Sequence, residues 1–223
     1  MDIQKVQLCR RSEDLDWWKG RRVWVGLDLS QTDDNTAVAM VTEEDGVLYA
    51  KTWGFLPQGR IEIKTSRESV DYAKLIRQGC CMACGDEVID YGFVERFISS
   101  IPEQYGVDVV QIGYDRYNAI STVQKMEAAG MECVEIRQHS SVLHPPTKLL
   151  RESILNGSFR YDENRLLEIN FQNARCTQDT NLNQYVNKKK SAGKVDMVVA
   201  LINALYLCQQ EILYGASDFF IQM

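Results

Sequence analysis

The run Val23-Trp24-Val25-Gly26-Leu27-Asp28-Leu29 is apolar and rich in β-branched residues, and it carries an aspartate close to its end. This composition predicts a buried, central β-strand. Two further apolar runs follow at residues 36–41 and 47–53, with Asp45-Gly46 between them. Asp-Gly is a common hairpin turn. The three runs therefore predict an antiparallel meander.

The second half of the chain predicts parallel strands connected by helices. Residues Val107 to Asp115 form another apolar run that ends in an aspartate, and a helical stretch and the short strand Cys133–Ile136 follow it. The predicted helices are residues 93–101 after a cap at Asp90, residues 118–129, residues 146–156 and residues 195–213. The predicted fold is α/β, with a mixed central sheet flanked by helices.

Composition excludes several classes of protein. The chain has 223 residues, of which 45% are hydrophobic and only four are proline, so it is not a disordered or collagen-like protein. No apolar run approaches the roughly 20 residues of a membrane-spanning helix, and the N-terminus has no apolar signal segment. We therefore expect a cytoplasmic protein that does not contact a membrane. Residues 1–20 are interpreted as a linker or N-terminal extension, and residues 21–223 as one domain.

Three aspartates are candidates for a functional site. Asp28 and Asp115 stand at the carboxyl ends of the two buried strands, where ligands bind to sheets of this kind. Asp196 stands in the first turn of the last helix. Small residues follow it on one face of that helix, which favours close packing on the sheet: Ala200, Asn203 and Ala204.

Three carboxylates that converge without positive charges repel one another strongly. Either they lie apart, or some are protonated, or they hold divalent cations. Oxygen ligands suit magnesium or manganese, and two such ions can activate water and stabilise the leaving oxygen of a phosphodiester. The alternative is that each aspartate is an ordinary turn or helix-cap residue.

The order and spacing of short motifs resemble the C-terminal nuclease domain of the phage terminase large subunit. The resemblance covers about residues 20–213. The matching segments are Gly26-Leu27-Asp28-Leu29-Ser30 with Asp34 and Thr36-Ala37, Asp90-Tyr91, Gly113-Tyr114-Asp115-Arg116, Asn173, and Lys194-Val195-Asp196 with Ala200-Leu201 and Ala204-Leu205.

This resemblance implies a ribonuclease H-like fold and a metal-dependent endonuclease that cuts concatemeric double-stranded DNA with little sequence preference. It implies catalytic and metal-binding roles for Asp28, Asp115 and Asp196, with Asp34 as an accessory carboxylate. Asp28 would be shared by two Mg²⁺ or Mn²⁺ ions, and Asp115 and Asp196 would each hold one.

The resemblance also implies partners. The Gly-x-x-x-x-Gly-Lys-Ser/Thr loop of an ATPase motor does not occur, and Ala192-Gly193-Lys194-Val195 lacks both the first glycine and the hydroxyl. We therefore expect the terminase ATPase domain to be absent from this chain and to act with it, together with the small terminase subunit and the portal. The expected location is the cytoplasm of the host cell.

Basic residues beside the candidate ligands are candidates for DNA binding. They are Lys188, Lys189, Lys190, Lys194 and Arg116. A phosphate backbone at the metal site would pass near them, although the formal net charge of -6 disfavours binding of a polyanion by the chain as a whole. The alternative for the lysine run is an ordinary solvated loop.

The cysteine pattern is open to a second interpretation. Seven cysteines with irregular spacing suit free thiols in a reducing compartment. Cys80, Cys81 and Cys84 invite a zinc site completed by Cys133, His139 or His144, but a single Cys-x-x-Cys is weak evidence, and we favour free thiols at the edge of a loop.

Two other functions remain open on the sequence. One is a catalytically silent ribonuclease H-like module that binds DNA or a protein. The other is a fragment of an actin-like or sugar-kinase-type phosphotransferase, although those proteins need a duplicated domain and a second phosphate loop.

Overall fold

The computed structural model describes residues 2–30, 35–116 and 118–221, without the side chains beyond residue 212. In these ranges the strands are β1 Arg22–Asp28, β2 Thr36–Glu44, β3 Val47–Leu56, β4 Met82–Ala83, β5 Asp108–Tyr114, β6 Cys133–Glu135, β7 Phe159–Tyr161, β8 Cys176–Gln178 and β9 Gln184–Val186. The helices are α1 Ile3–Gln7, α2 Leu15–Trp18, α3 Ile61–Glu68, α4 Tyr72–Arg77, α5 Tyr91–Tyr105, α6 Ile120–Ala128, α7 Ser140–Asn156, α8 Arg165–Asn173 and α9 Asp196–Ile221.

A mixed sheet forms the centre of the fold, in the order β4-β3-β2-β1-β5-β6. The β1–β2 and β2–β3 pairs are antiparallel, which confirms the predicted meander, and β1–β5 and β5–β6 are parallel. Strand β7 pairs with β3 beside β4, and β8 and β9 form a separate hairpin. The predicted α/β fold with a mixed central sheet is confirmed.

Helices cover both faces of the sheet, because side chains alternate along each strand. Val23, Val25 and Leu27 of β1 pack with apolar residues of α5 and α6. Trp24 points to the opposite face, where α7, α8 and α9 pack. Gly26 and Asp28 continue the alternation on the Trp24 face, so Asp28 lies on the same side of the sheet as α9.

Helix α9 presses directly onto β1. A Cβ atom at Gly26 would lie 2.0 Å from the Ala200 carbonyl oxygen and 2.4 Å from the Ala204 nitrogen. The Asn203 side chain is fully buried and its Nδ2 donates to the Leu27 carbonyl at 2.8 Å. The prediction that small residues bring this helix close to the sheet is confirmed.

Several boundaries differ from the predictions. Helix α7 begins at Ser140, because the His139 side chain caps its first turn and Pro145 and Pro146 fall inside the helix rather than opening it. The last helix runs to Ile221, eight residues beyond the predicted end. Helices α3, α4 and α8 and the β8–β9 hairpin have no counterpart among the predicted elements.

The cysteines that flank β4 lie in the core. The prediction that they lie at the edge of a loop is wrong. Cys80, Cys81 and Cys84 are free and buried on either side of a strand that pairs with β3. Burial raises the pKa of Cys81 to about 12 and that of Cys84 to about 11, so both remain thiols at neutral pH. The prediction of free thiols is confirmed for all seven cysteines.

The N-terminal segment, predicted as a linker or extension, packs against the domain. Val6, Cys9 and Trp18 are buried. The Arg11 amide donates to the Tyr161 carbonyl at 3.0 Å, which attaches the segment to β7. These contacts make residues 2–20 part of the packed structure.

The buried carboxylate of Glu168 also anchors this N-terminal segment. Glu168 of α8 accepts hydrogen bonds from Arg10 at 2.6 and 2.8 Å, and from Gln7, Tyr161 and Arg165 at 3.0 to 3.2 Å. Burial by itself would raise the pKa of Glu168, but these donors outweigh it and hold the pKa below its ordinary value. The carboxylate is therefore charged and paired at neutral pH.

The approach of α9 to β1 predicts a severe effect of any side chain at position 26. We expect Gly26→Ala to lower the free energy of unfolding by about 3 kcal/mol or more, because helix backbone would have to move. Gly130→Ala is the control, since a Cβ there meets nothing within 4 Å and only its positive φ of 85° is strained. Its expected cost is about 1 kcal/mol. Urea unfolding measures both, and equal midpoints would contradict the assignment.

The depressed pKa of Glu168 predicts a pH effect. Its contribution to stability is complete above the unfolded-state pKa of roughly 4.3, and falls as the pH drops through the lower pKa of the folded state. We expect Glu168→Gln to unfold at lower urea than wild type at pH 7, with the gap narrowing by about pH 3. Glu163→Gln is the control, because Glu163 also pairs with Arg10 but its side chain is 69% exposed. A gap independent of pH would contradict the prediction.

Candidate functional site

The strand register brings Asp28 and Asp115 to one edge of the sheet. Gly26 of β1 is paired with Gly113 of the parallel strand β5. Asp28 is the last residue of β1, two positions after this pair, and Asp115 directly follows the end of β5. A Cβ at Gly113 would also contact α9 and its surroundings, at 3.1 Å from the Asn203 carbonyl oxygen. The carboxyl ends of the two strands, which carry these aspartates, therefore meet at one edge of the sheet.

Helix α8 fixes the start of α9, and with it Asp196. The Asn170 side chain accepts a hydrogen bond from the Met197 amide at 3.0 Å, which satisfies one of the N–H groups that lack a partner within the helix. The Asn173 side chain donates to the Lys194 carbonyl at 3.1 Å. Asp196 is 2% exposed and sits where α9 leaves the edge of the sheet. The Asn173 of the sequence motif thus anchors the turn before this carboxylate.

Lys188 joins two of the three carboxylates. Its ammonium lies 2.7 and 2.6 Å from the two oxygens of Asp28 and 3.7 Å from Oδ1 of Asp196. Asp28 is 5% exposed, so the pair is largely removed from water on the carboxylate side. Both aspartates therefore direct oxygens at the same positive charge.

A chain of hydrogen bonds supports Asp196 from the other side. The Asn35 amide donates to Asp196 Oδ2 at 3.2 Å, and the Asn35 side chain donates to the Tyr72 hydroxyl at 3.2 Å. That hydroxyl donates to Glu68 at 2.6 Å, and Lys64 lies 3.3 Å from the same carboxylate. Burial raises the pKa of Tyr72 far above its usual value, so the hydroxyl keeps its proton. The Oδ1 atom of Asn35 is buried without a hydrogen-bond partner in the described structure.

Asp115 occupies a different position from the other two. It is half-buried and lines a cleft of about 430 Å³ with Gln138, Tyr185 and Lys188. Among the residues that the structure describes, no three His, Cys, Asp or Glu side chains are grouped closely enough to hold a metal ion. Asp34, the predicted accessory carboxylate, lies outside the described residues.

The loop that follows β1 is held by the other motif residues. The Asp90 side chain caps α5 by accepting from the Phe93 amide at 3.2 Å, which confirms the predicted cap. The Tyr91 hydroxyl donates to the Ser30 carbonyl at 2.9 Å. These contacts fix the backbone directly after Asp28.

A basic cleft of about 780 Å³ opens beside Asp196, and we call it the Asp196 cleft. Its lining includes the positively charged residues Arg67, Arg165, Lys188, Lys189 and Lys194, against the carboxylates of Glu68 and Asp196. Lys190 and Arg116, also predicted as DNA contacts, are exposed and do not line either cleft in the described part of the chain. Positive charge is thus concentrated in the cleft that Asp196 lines.

The sequence predicts Lys188 as a DNA contact and does not signal its contact with Asp28. The lysine lies 160 positions from its partner, so no local spacing indicates the pair. Asn35 and Tyr72 are likewise absent from the predicted site, although both support Asp196. Of these two residues, only Asn35 is indicated by the sequence as a possible site residue, because it closes the polar loop after the strand that ends at Asp28.

Comparisons with known proteins identify the family. The family model described as terminase large subunit, endonuclease domain, matches residues 2–211. The terminase large subunit of Enterobacteria phage HK97 is 27% identical over 202 residues, which cover 89% of this chain and 40% of the relative. The terminase large subunit of Lactococcus phage SK1 is 24% identical over 189 residues, covering 82% of this chain and 35% of the relative. The chain therefore spans well under half the length of these relatives.

Solved structures agree on the fold. The crystal structure of the HK97 large terminase superposes with a TM-score of 0.83 at 25% identity, over 93% of this chain and 43% of that one. The large terminase nuclease from the thermophilic phage G20c, with bound magnesium, gives a TM-score of 0.52 at 14% identity over 84% of each chain. The nuclease domain from bacteriophage SPP1, with bound Mn, gives 0.52 at 10% identity over 88% of this chain and 94% of that one.

Among the described helices, none has both the length and the apolar character needed to cross a membrane. The match to the family model over most of the chain agrees with the α/β architecture and with the carboxylates at the edge of its sheet. The chain belongs to the terminase large subunit endonuclease domain family and has a ribonuclease H-like fold.

Proposed function

We propose that this chain is an endodeoxyribonuclease that cuts concatemeric double-stranded DNA during viral genome packaging, with little sequence preference. Asp28, Asp115 and Asp196 are the proposed catalytic carboxylates. Family membership supports a nuclease, and it argues against the phosphotransferase fragment left open by the sequence. The observation that carries the proposal is that Asp28 and Asp196 both direct oxygens at the Lys188 ammonium.

The donor set of the site suits a divalent metal. Asp28 and Asp196 aim oxygens at one cationic group, which here is the Lys188 ammonium. Magnesium and manganese prefer such oxygen ligands. The G20c nuclease binds magnesium and the SPP1 nuclease domain binds Mn, which supports divalent ions as cofactors of this chain.

We assign the ligands of two Mg²⁺ or Mn²⁺ ions to this chain. Asp28 would be shared by both, and Asp115 and Asp196 would each hold one, with Asp34 as an accessory ligand. When bound, such ions lower the pKa of water and stabilise charge on the leaving oxygen of a phosphodiester. The hydrogen bond from the Asn35 amide keeps Asp196 oriented while its other oxygen faces the cation.

The Asp196 cleft supports DNA as the substrate. The chain carries a formal net charge of -6, yet this cleft gathers five cationic side chains beside the carboxylates. A duplex would be held through its phosphates, and contacts of that kind carry no sequence information, which supports cutting with little sequence preference. Lys189 and Lys194 are the proposed phosphate contacts at the mouth of the cleft, and Lys190 and Arg116 are proposed contacts outside it.

The same family membership supports partners beyond DNA. The chain covers 40% of the HK97 relative, so further domains of such a protein would act with it. The proposed partners are a terminase ATPase domain, a small terminase subunit and a portal. The proposed location is the cytoplasm of the host cell.

The carboxylate assignment predicts that cleavage needs all three aspartates. We expect Asp28→Asn, Asp115→Asn and Asp196→Asn each to lower plasmid nicking and linearisation by roughly 100-fold or more, because each removes a charged ligand. Wild type should cut with Mg²⁺ or Mn²⁺ and not with EDTA.

Asp108→Asn is the matched control, because Asp108 is exposed at the opposite end of β5 from Asp115. It should cut like wild type. Near-normal cleavage by all three site variants would overturn the assignment. A well-folded wild type that never cuts, yet binds DNA, would favour the catalytically silent module.

The cleft assignment predicts a change in salt dependence. We expect Lys189→Ala with Lys194→Ala to weaken duplex binding and to reduce the slope of log K against log[salt] by about 0.9 for each phosphate that the variant no longer neutralises. Fluorescence anisotropy between low and moderate salt measures this. Lys5→Ala, which removes an exposed lysine of α1 outside the cleft lining, should leave the slope unchanged. An unchanged slope in the double variant would remove these lysines from the interface.

A further inference from the structure

Lys188 combines a backbone held by hydrogen bonds with a partly exposed side chain. The backbone belongs to a short 3-10 turn, Lys188–Lys190, in which the Asn187 side chain accepts from the Lys190 amide at 3.2 Å. The Asn187 amide in turn donates to the Arg175 carbonyl at 2.9 Å. The Lys188 side chain is 42% exposed, whereas the side chains of Asp28 and Asp196 are 7% and 3% exposed. The lysine side chain therefore has access to solvent that the two carboxylates lack.

The ammonium uses the oxygens that a divalent cation would need. Both oxygens of Asp28 lie within 2.7 Å of it, and Oδ1 of Asp196 lies 3.7 Å away. A cation held by the same oxygens would lie against the ammonium, and like charges at that distance repel strongly. The ammonium and a divalent ion would therefore compete for these oxygens.

We propose that Lys188 is a tethered counter-cation that competes with the divalent ion for Asp28 and Asp196, so that metal loading requires the lysine to leave. This inference rests on the proposed metal site and adds a restraint on its loading. Without the metal, the single positive charge of the lysine pairs with Asp28 and lies beside Asp196. With the metal, its side chain turns toward the Asp196 cleft, which it also lines.

The competition predicts a gain of metal affinity when the lysine is removed. We expect Lys188→Met to bind Mn²⁺ about tenfold more tightly than wild type, which corresponds to about 1.4 kcal/mol. Calorimetric titration of the purified chain with Mn²⁺ alone measures this without any cleavage assay. Asp28→Asn should abolish the high-affinity binding.

Lys189→Met is the matched control. Lys189 is the next residue in the same turn and lines the same clefts, but it makes no ion pair with Asp28 or Asp196 in the described structure. Lys189→Met removes the same charge as Lys188→Met. It therefore measures how far the overall positive charge of the lysine turn affects Mn²⁺ binding. Its Mn²⁺ affinity should stay within about twofold of wild type.

Thermal unfolding covers the case in which Lys188→Met folds poorly. In EDTA, the thermal unfolding midpoint of Lys188→Met should be lower than that of wild type, because two buried carboxylates have lost their counter-charge. Saturating Mn²⁺ should restore it to the wild-type midpoint. A deficit that Mn²⁺ does not reduce would mean a merely structural lysine and would overturn the inference.

The titrations separate the competition from the metal site itself. Wild type that binds Mn²⁺ through Asp28, with Lys188→Met binding no more tightly than Lys189→Met, would overturn the competition and leave the metal site intact. If neither wild type nor Lys188→Met binds Mn²⁺, both fail. If only Lys188→Met binds, the competition is supported in its strongest form.

Discussion

The fold and its site both depend on the contact between α9 and β1. Gly26 has no side chain, and the backbone of α9 at Ala200 and Ala204 occupies the space that a Cβ would need. This approach sets where α9 begins relative to the sheet. Since Asp196 lies one turn before Ala200, and Asp28 lies two residues after Gly26, the same contact brings the two carboxylates together. Packing and chemistry therefore share one constraint.

Buried negative charge is the second constraint, and Arg10 and Lys188, both distant in sequence from their partners, pair with buried carboxylates. Glu168 in the core is neutralised by Arg10 and Arg165 with two further hydrogen bonds. Asp28 is neutralised by Lys188. The Glu168 side chain is 0% exposed, and its hydrogen bonds attach the N-terminal segment to the fold. Asp28 is paired with Lys188, which also lines the Asp196 cleft and which we propose exchanges for a divalent ion.

Much of the architecture is predictable because it follows from local patterns. The apolar runs predict β1, β2, β3 and β5, the Asp90 cap predicts α5, and the small-residue face predicts the packing of α9. Short elements lack such a period: half of the residues of α3 and of α4 are exposed, and β8 and β9 have three residues each. The predicted start of α7 is too late, because proline favours the first turn of a helix, whereas here two prolines lie inside it.

The amino-acid sequence alone determines the family motifs. It also determines the strand ends that carry Asp28 and Asp115 and the helix start that carries Asp196. They are local properties of apolar runs and of residue spacing. The groups that meet at that edge emerge only from the packed molecule: the lysine of a distant turn on Asp28, and the Asn35 amide on Asp196. Such pairs join residues about 160 positions apart, and no pattern in the chain encodes a contact that exists only after the sheet and α9 have packed.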